Sequence, residues 1–235
     1  MSLFKFKQFS VCQSRSAMKV GTDGVLLGAW VDIRGDENRI LDIGTGTALI
    51  AIMMAQRSSA CNIVGVEIDM ESAQQAHENM MESQWADRLR VEGCAIQTFE
   101  SDTKFDLILS NPPYFVNSLL AKGESRTIAR HTTALSFDDL VAAVARLLSP
   151  SGRFAVILPP SETEHFDVMA RGVLSLRRRC RVKGKVGGVV RRVMSEYSLG
   201  EDGEVEESEL AVRAPAPEEY TAEYMALTAE FYLKF

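Results

Sequence analysis

The sequence predicts an α/β fold, a mostly parallel β-sheet with helices on both faces. Three observations predict it. From residue 39 onward, short apolar runs alternate with longer segments of helical apolar spacing. A glycine turn, Gly44-Thr45-Gly46, joins the first of these strands to the first helix. Two late strand-like segments have little room for a helix between them, which suggests an antiparallel hairpin at one edge.

The elements follow in order. Arg39 to Ile43 (R-I-L-D-I) reads as a buried strand, and Thr47 to Gln56 as a helix packed on a sheet. Asn62 to Ile68 is a second strand and Met70 to Ser83 a second helix. Arg88 to Glu92 is a short third strand. Phe105 to Ser110 is the fourth, ended by Pro112 and Pro113, which lack the N–H a ladder needs. Phe137 to Leu148 has helical spacing and stops at Ser149-Pro150-Ser151-Gly152. Arg153 to Leu158 is a fifth strand, and Glu162 to Val173 can form a helix. Val189 to Leu199 and Glu230 to Phe235 are the late strands. The alternating F-K-F-K-Q-F-S-V near the start can form a small extra strand or hairpin over the site. Without an internal repeat or a Pro/Ser-rich linker, residues 1–235 are expected to make one domain.

Composition narrows the class. Apolar residues make up 46% and charged residues 25%, as in soluble globular proteins. No apolar run approaches the roughly 18 residues of a membrane span, and the start is not a secretory signal. Cys12, Cys61, Cys94 and Cys180 are scattered with no C-x-x-C spacing, so reduced thiols in the cytoplasm are expected and structural zinc is not. The net charge of −6 conceals two opposed fields. Glu201 to Glu209 holds six acids and no base; without it the two signs balance at 26 each. Arg177, Arg178, Arg179, Arg181, Lys183, Lys185, Arg191 and Arg192 form a tract of eight positives with no acid. Such a tract suits RNA phosphates, although charge runs are commonly solvated surface. The acidic run reads as a solvated loop tip that can also repel RNA from the wrong face.

In a doubly wound sheet ligands bind beyond the strand C-termini, where glycines let backbone approach. A plain turn would also explain Gly44 and Gly46. Leu49 stands where a dinucleotide fingerprint wants its third glycine, so pyrophosphate on the helix is not supported. Asp42 before the loop would disfavour phosphate. Glu67, 21 residues beyond Gly46, can accept from both hydroxyls of a ribose, or merely face solvent. A ligand with a ribose and a positive end fits, and S-adenosylmethionine has both.

On these residues the chain resembles the class I S-adenosylmethionine-dependent methyltransferases, which implies a Rossmann-like, seven-stranded sheet. Ser110-Asn111-Pro112-Pro113-Tyr114-Phe115 then matches the N/D-P-P-Y/F of their amino-methylating branch. That implies catalytic roles for Asn111, Pro112, Pro113 and Tyr114. The Asn111 side-chain oxygen and Pro112 carbonyl would accept the two hydrogens of an exocyclic amine, and Tyr114 would stack on its ring. Ser16 to Trp30 (S-A-M-K-V-G-T-D-G-V-L-L-G-A-W) resembles the bacterial tRNA1(Val) adenine-37 N6-methyltransferase family more specifically. The likeness extends to Ala129–Leu140 and to the C-terminal Y-T-A-E-Y-M-A-L-T-A-E-F-Y-L-K-F.

By that resemblance residues 1–30 cover the cofactor, with Lys19, Thr22 and Asp23 at its methionine end. Thr22 and Asp23 would equally cap a helix over Val25–Trp30. Asp42, Gly44, Gly46, Glu67, Ile68, Cys94, Ala95 and Asn111 complete the expected cofactor set. Ala48 replaces a third glycine common in the first motif, and at a helix start this should cost little. Arg126, Arg130 and His131, with the basic tract, would guide a tRNA anticodon loop. No metal is expected, and no apolar edge or heptad argues for more than a monomer. A protein glutamine N5-methyltransferase and a non-catalytic RNA-binding module of the same fold are the competing readings. Only about 38 residues precede the first strand, against the former. An intact N-P-P-Y argues against the latter.

Overall fold

A computed structural model describes residues 2–16, 19–113, 135–201, 203–216 and 219–234. A small antiparallel pair, β1 (Leu3–Lys5) and β2 (Ser10–Cys12), precedes helix α1 (Thr22–Trp30). Then follow β3 (Arg39–Ile43), α2 (Leu49–Arg57), β4 (Asn62–Glu67), α3 (Met70–Met81), β5 (Leu89–Gly93) and β6 (Phe105–Ser110). The second half holds α4 (Phe137–Leu147), β7 (Leu148–Leu158), α5 (Pro160–Ala170), β8 (Ser175–Lys185), β9 (Val190–Ser198), β10 (Glu206–Arg213) and α6 (Ala222–Thr228).

The main sheet runs β10-β8-β9-β7-β6-β3-β4-β5, with only β9 antiparallel to its neighbours. Side chains of β3, β6 and β7 alternate between its faces. Ile40, Leu107, Leu109, Ala155 and Ile157 pack on the side of α1 and α2. Leu41, Ile43, Ile108, Val156 and Leu158 face α4 and α5. Helix starts follow their caps. The Asp69 carboxylate accepts from Ser72 N–H at 2.8 Å, Ser136 Oγ from Asp139 N–H at 3.1 Å, and Thr221 Oγ1 from Tyr224 N–H at 3.1 Å. Pro160 occupies the first turn of α5, where its missing N–H costs nothing.

Four features depart from expectation. Among the described residues the sheet has eight strands where the resemblance implied seven. Residues 230–234 form no strand; Thr221 instead caps α6, and Phe231 turns back into the core. The hairpin is β8 with β9, which β10 separates from the edge, so the basic tract is itself largely an interior strand. The acidic run is no mere loop tip, since its second half is β10, paired parallel to β8. Opposite charge explains that register. Arg181 bonds Glu207, and Lys183 Nζ meets Glu209 at 2.7 Å.

Inside this edge lies a buried charge cluster. The Arg153 guanidinium donates to Glu37, to Glu196 at 3.2 Å and to the Asp32 carbonyl at 2.9 Å. Arg178 reaches Glu196 at 3.6 Å and stacks on Trp30 at 4.0 Å. Pairing and backbone bonds satisfy charges that burial alone would forbid.

Candidate active site

A cavity of about 490 Å³ opens where β3, β4, β5 and β6 end. The β3–α2 turn forms its floor. Gly44 and Thr45 donate backbone N–H to the Val66 carbonyl at 2.8 and 3.1 Å, which ties the loop to β4. Gly44 (φ 70°) and Gly46 (φ 56°) take left-handed conformations that their missing side chains allow. Thr45 folds inward, and a Cβ on Gly65 would stand 2.7 Å from its Cγ2, so Gly65 makes the room. Ala48 is also left-handed, at φ 64°. The expectation of a cheap replacement is therefore corrected, because an L-residue pays about 1 kcal/mol there.

The two expected carboxylates take different positions. Glu67 lines the cavity. Its oxygens accept from Gly46 N–H at 2.9 Å and Asp69 N–H at 3.0 Å, which fixes its orientation. Asp42, read from the sequence as a cofactor contact, is not part of the lining. It lies beneath the loop, accepting from Thr45 Oγ1 at 2.6 Å and Ala51 N–H at 3.2 Å. Burial pushes its pKa up to about 7, against the two hydrogen bonds, and the nearby Glu67 charge adds to the rise. Asp42 thus positions the turn.

Of the other expected residues, Lys19, Asp23, Gly44, Gly46, Ile68, Cys94, Ala95, Asn111, Pro112 and Pro113 all line the same cavity. Ser110 Oγ donates to the Ile43 carbonyl at 2.9 Å, locking the end of β6 to that of β3, so Asn111 emerges beside the glycine turn. Burial raises the Cys94 thiol pKa. Thr22 does not line this cavity; it borders a second hollow. Tyr114, Arg126, Arg130 and His131 lie outside the described residues.

Sequence reasoning missed Ser16, Asp69 and Gln97, which also line the cavity. Asp69 could have been found, since a helix cap directly after a strand must stand at the sheet's C-terminal edge. Ser16 and Gln97 sit in irregular segments whose direction no periodicity gives. Residues 1–30 divide: Ser16, Lys19, Val20, Gly21, Asp23 and Gly24 reach the cavity, whereas Phe6 and Phe9 anchor the hairpin against Trp85 and Tyr232.

The basic tract is largely engaged within the chain. Arg177 donates to Ser198 Oγ and the Glu201 carbonyl, both at 2.7 Å. Arg179 grips Asp167 at 2.8 and 3.0 Å, and burial raises the pKa of Tyr197, which donates to the same carboxylate. Arg178, Arg181 and Lys183 have the partners given above. Arg192 reaches Asp23 at 2.7 Å, joining β9 to the cavity wall. Lys185 and Arg191 have no ion pair among the described residues. They flank the β8–β9 turn, which extends beyond the same sheet edge as the cavity, since β9 begins past the end of β7.

Residues 12–170 match the family model described as the methyltransferase small domain. The chain belongs to the methyltransferase small domain family. This methyltransferase is 48% identical over 231 residues to a protein of Phocaeicola vulgatus, covering 98% of this chain and 97% of the other. It is 44% identical over 237 residues to one of Trichodesmium erythraeum, covering 99% and 98%. Both are named tRNA1(Val) (adenine(37)-N6)-methyltransferase. Among solved structures, a predicted O-methyltransferase of Agrobacterium tumefaciens has a TM-score of 0.68 at 15% identity, covering 89% of this chain and 96% of that one. A glycopeptide N-methyltransferase complexed with S-adenosylmethionine has a TM-score of 0.55 at 12% identity, covering 79% and 91%. These likenesses mark a class I, Rossmann-like methyltransferase fold. No helix among the described residues is long and apolar enough to cross a membrane.

Proposed function

We propose that the chain transfers a methyl group from S-adenosylmethionine to N6 of adenine 37 in the anticodon loop of tRNA1(Val). The single observation that carries the chemistry is that Asn111, Pro112 and Pro113 share one cavity with Glu67 and the glycine turn. Full-length relatives named for this reaction support the choice of RNA and base.

The lining suits the cofactor. With Asp23 paired to Arg192, Glu67 and Asp69 still outnumber Lys19, a balance that favours a cationic ligand and disfavours phosphate. A Cβ on Gly44 would meet nothing within 4 Å, so the turn leaves a cradle for close approach. When bound, S-adenosylmethionine supplies an electrophilic methyl group on a sulfonium. Glu67, held by two backbone N–H groups, can accept from ribose hydroxyls, and exposed Ile68 offers an apolar surface for a flat ring.

Asn111 and the Pro112 carbonyl accept the two amine hydrogens of adenine. That localises the nitrogen lone pair without a strong base. Tyr114 stacks on the ring. The adenine must leave its stack to enter, as an anticodon-loop base can. Lys185 and Arg191 at the hairpin, with Arg126, Arg130 and His131, hold phosphates. We take residues 1–235 as one domain acting as a monomer in the cytoplasm.

A tritiated-methyl assay on tRNA lacking the modification tests the reading. Wild-type enzyme should label N6 of adenine 37 in valine tRNA. Asn111→Ala should lose roughly a hundredfold in kcat with cofactor affinity kept. Label appearing only in protein, or unchanged turnover by Asn111→Ala, overturns it.

A further inference from the structure

Thr22, at the first turn of α1, borders a second hollow of about 390 Å³. Asp23, the next residue, lines the active-site cavity. Adjacent Cα atoms are 3.8 Å apart, so the first turn of α1 contributes to the walls of both spaces. Tyr220, Tyr224, Tyr232, Arg213 and Lys234 line the second space, and no carboxylate does so among the described residues. Lys185 is the cross-strand partner of Arg213, which brings a third cation to the rim.

The aromatic rings are fixed. Tyr220 stacks on Tyr224 with centroids 5.2 Å apart and planes inclined by 22°. Arg213 lies over Tyr220 at 3.9 Å, and an antiparallel bridge between these two residues holds them together. A guanidinium held over a ring still has N–H groups to offer phosphate oxygens. Tyr224 is buried as the floor, and Tyr220 and Tyr232 stand half-buried at the sides. Aromatic walls beside two or three cations are the chemistry of a nucleotide site, not of an acidic peptide or a metal.

We infer that this hollow is a second RNA subsite, which takes a nucleotide flanking the methylated adenine: its phosphate on Arg213 and Lys234, its sugar and base between Tyr220 and Tyr232. The inference rests on the reading of the chain as an RNA methyltransferase. The subsite would hold the anticodon loop by the neighbouring nucleotide while the target base enters beside Asn111.

Steady-state methylation of tRNA at several salt concentrations tests it. Arg213→Ala with Lys234→Ala should raise KM for tRNA about tenfold while kcat and the KM for cofactor stay near wild type. The slope of log kcat/KM against log salt should become shallower by roughly one to two. Lys234→Glu, at an exposed position with little packing to lose, should raise KM in the same direction and decides the matter if the double variant misfolds. Unchanged KM and salt slope in folded variants overturns the subsite. Wild-type enzyme that methylates no tRNA overturns the parent reading instead, so the two failures are distinct.

Discussion

The glycine-turn region and the charged edge solve opposite electrostatic problems. Around β3 and β4 a few charges are held apart. Asp42 is buried beneath the loop and Glu67 faces the cavity, so one shapes the turn and the other lines the site. Across β8, β9 and β10 many charges are brought together, and most cancel within the chain. Local density of charge is therefore a poor guide to where the cavity lies. Glu67 lines the cavity beside Asp69, whereas the most conspicuous basic run is largely a strand paired within the chain.

The harshest way to break that contrast is at Arg153. If the edge is structural, Arg153→Met leaves buried Glu37 without its cation and Glu196 with Arg178 alone, and should cost about 3–5 kcal/mol of stability. Urea unfolding measures this. Activity per folded molecule should remain near wild type, because the cluster lies away from the cavity. A loss below about 1 kcal/mol would mean the cluster is hydrated, and the edge would not be the anchored structure described here.

Asp42 sharpens the other side. Its folded pKa, pushed up to about 7, lies above the ordinary 3.8. The folded state therefore holds the proton longer than the unfolded chain. The favourable contribution is full below the unfolded pKa and is lost as pH rises toward 7. Between pH 5 and pH 8 the wild type should lose roughly 2 kcal/mol from this group. Asp42→Asn removes the titration, so its stability relative to wild type should improve by about that amount over the same interval. Paired melts at the two pH values check it. Equal differences at both would place Asp42 in contact with water.

The same contrast accounts for what the sequence could disclose. Strand, turn and helix from Arg39 to Arg57 are consecutive, so hydrophobic period and glycine punctuation suffice to read them. Asn111-Pro112-Pro113 was legible because prolines stop a strand at a known edge. Pairing of Glu207 and Glu209 with the basic strand joins residues 26 apart, and no local pattern encodes such a register. Residues 230–234 misled for a related reason. Phe231 and Tyr232 have strand-like side chains, but their burial comes from packing against Phe6 and Tyr224 after a capped helix.

The smallest effect discriminates most finely. Lys183 and Lys185 belong to one strand, have the same side chain and are two residues apart. Lys183 is held by Glu209, whereas Lys185 stands at the hairpin end beside Arg213. If charge density alone bound RNA, Lys183→Ala and Lys185→Ala would weaken it equally. If the internal pairs neutralise the tract, Lys183→Ala should leave KM for tRNA within about twofold. Lys185→Ala should raise it severalfold and reduce the salt slope by roughly one, the signature of a lost phosphate contact. Because the two positions share a strand face, local unfolding would affect both alike. A difference between them must therefore arise from which ammonium is already paired, and equality would return the whole tract to the RNA.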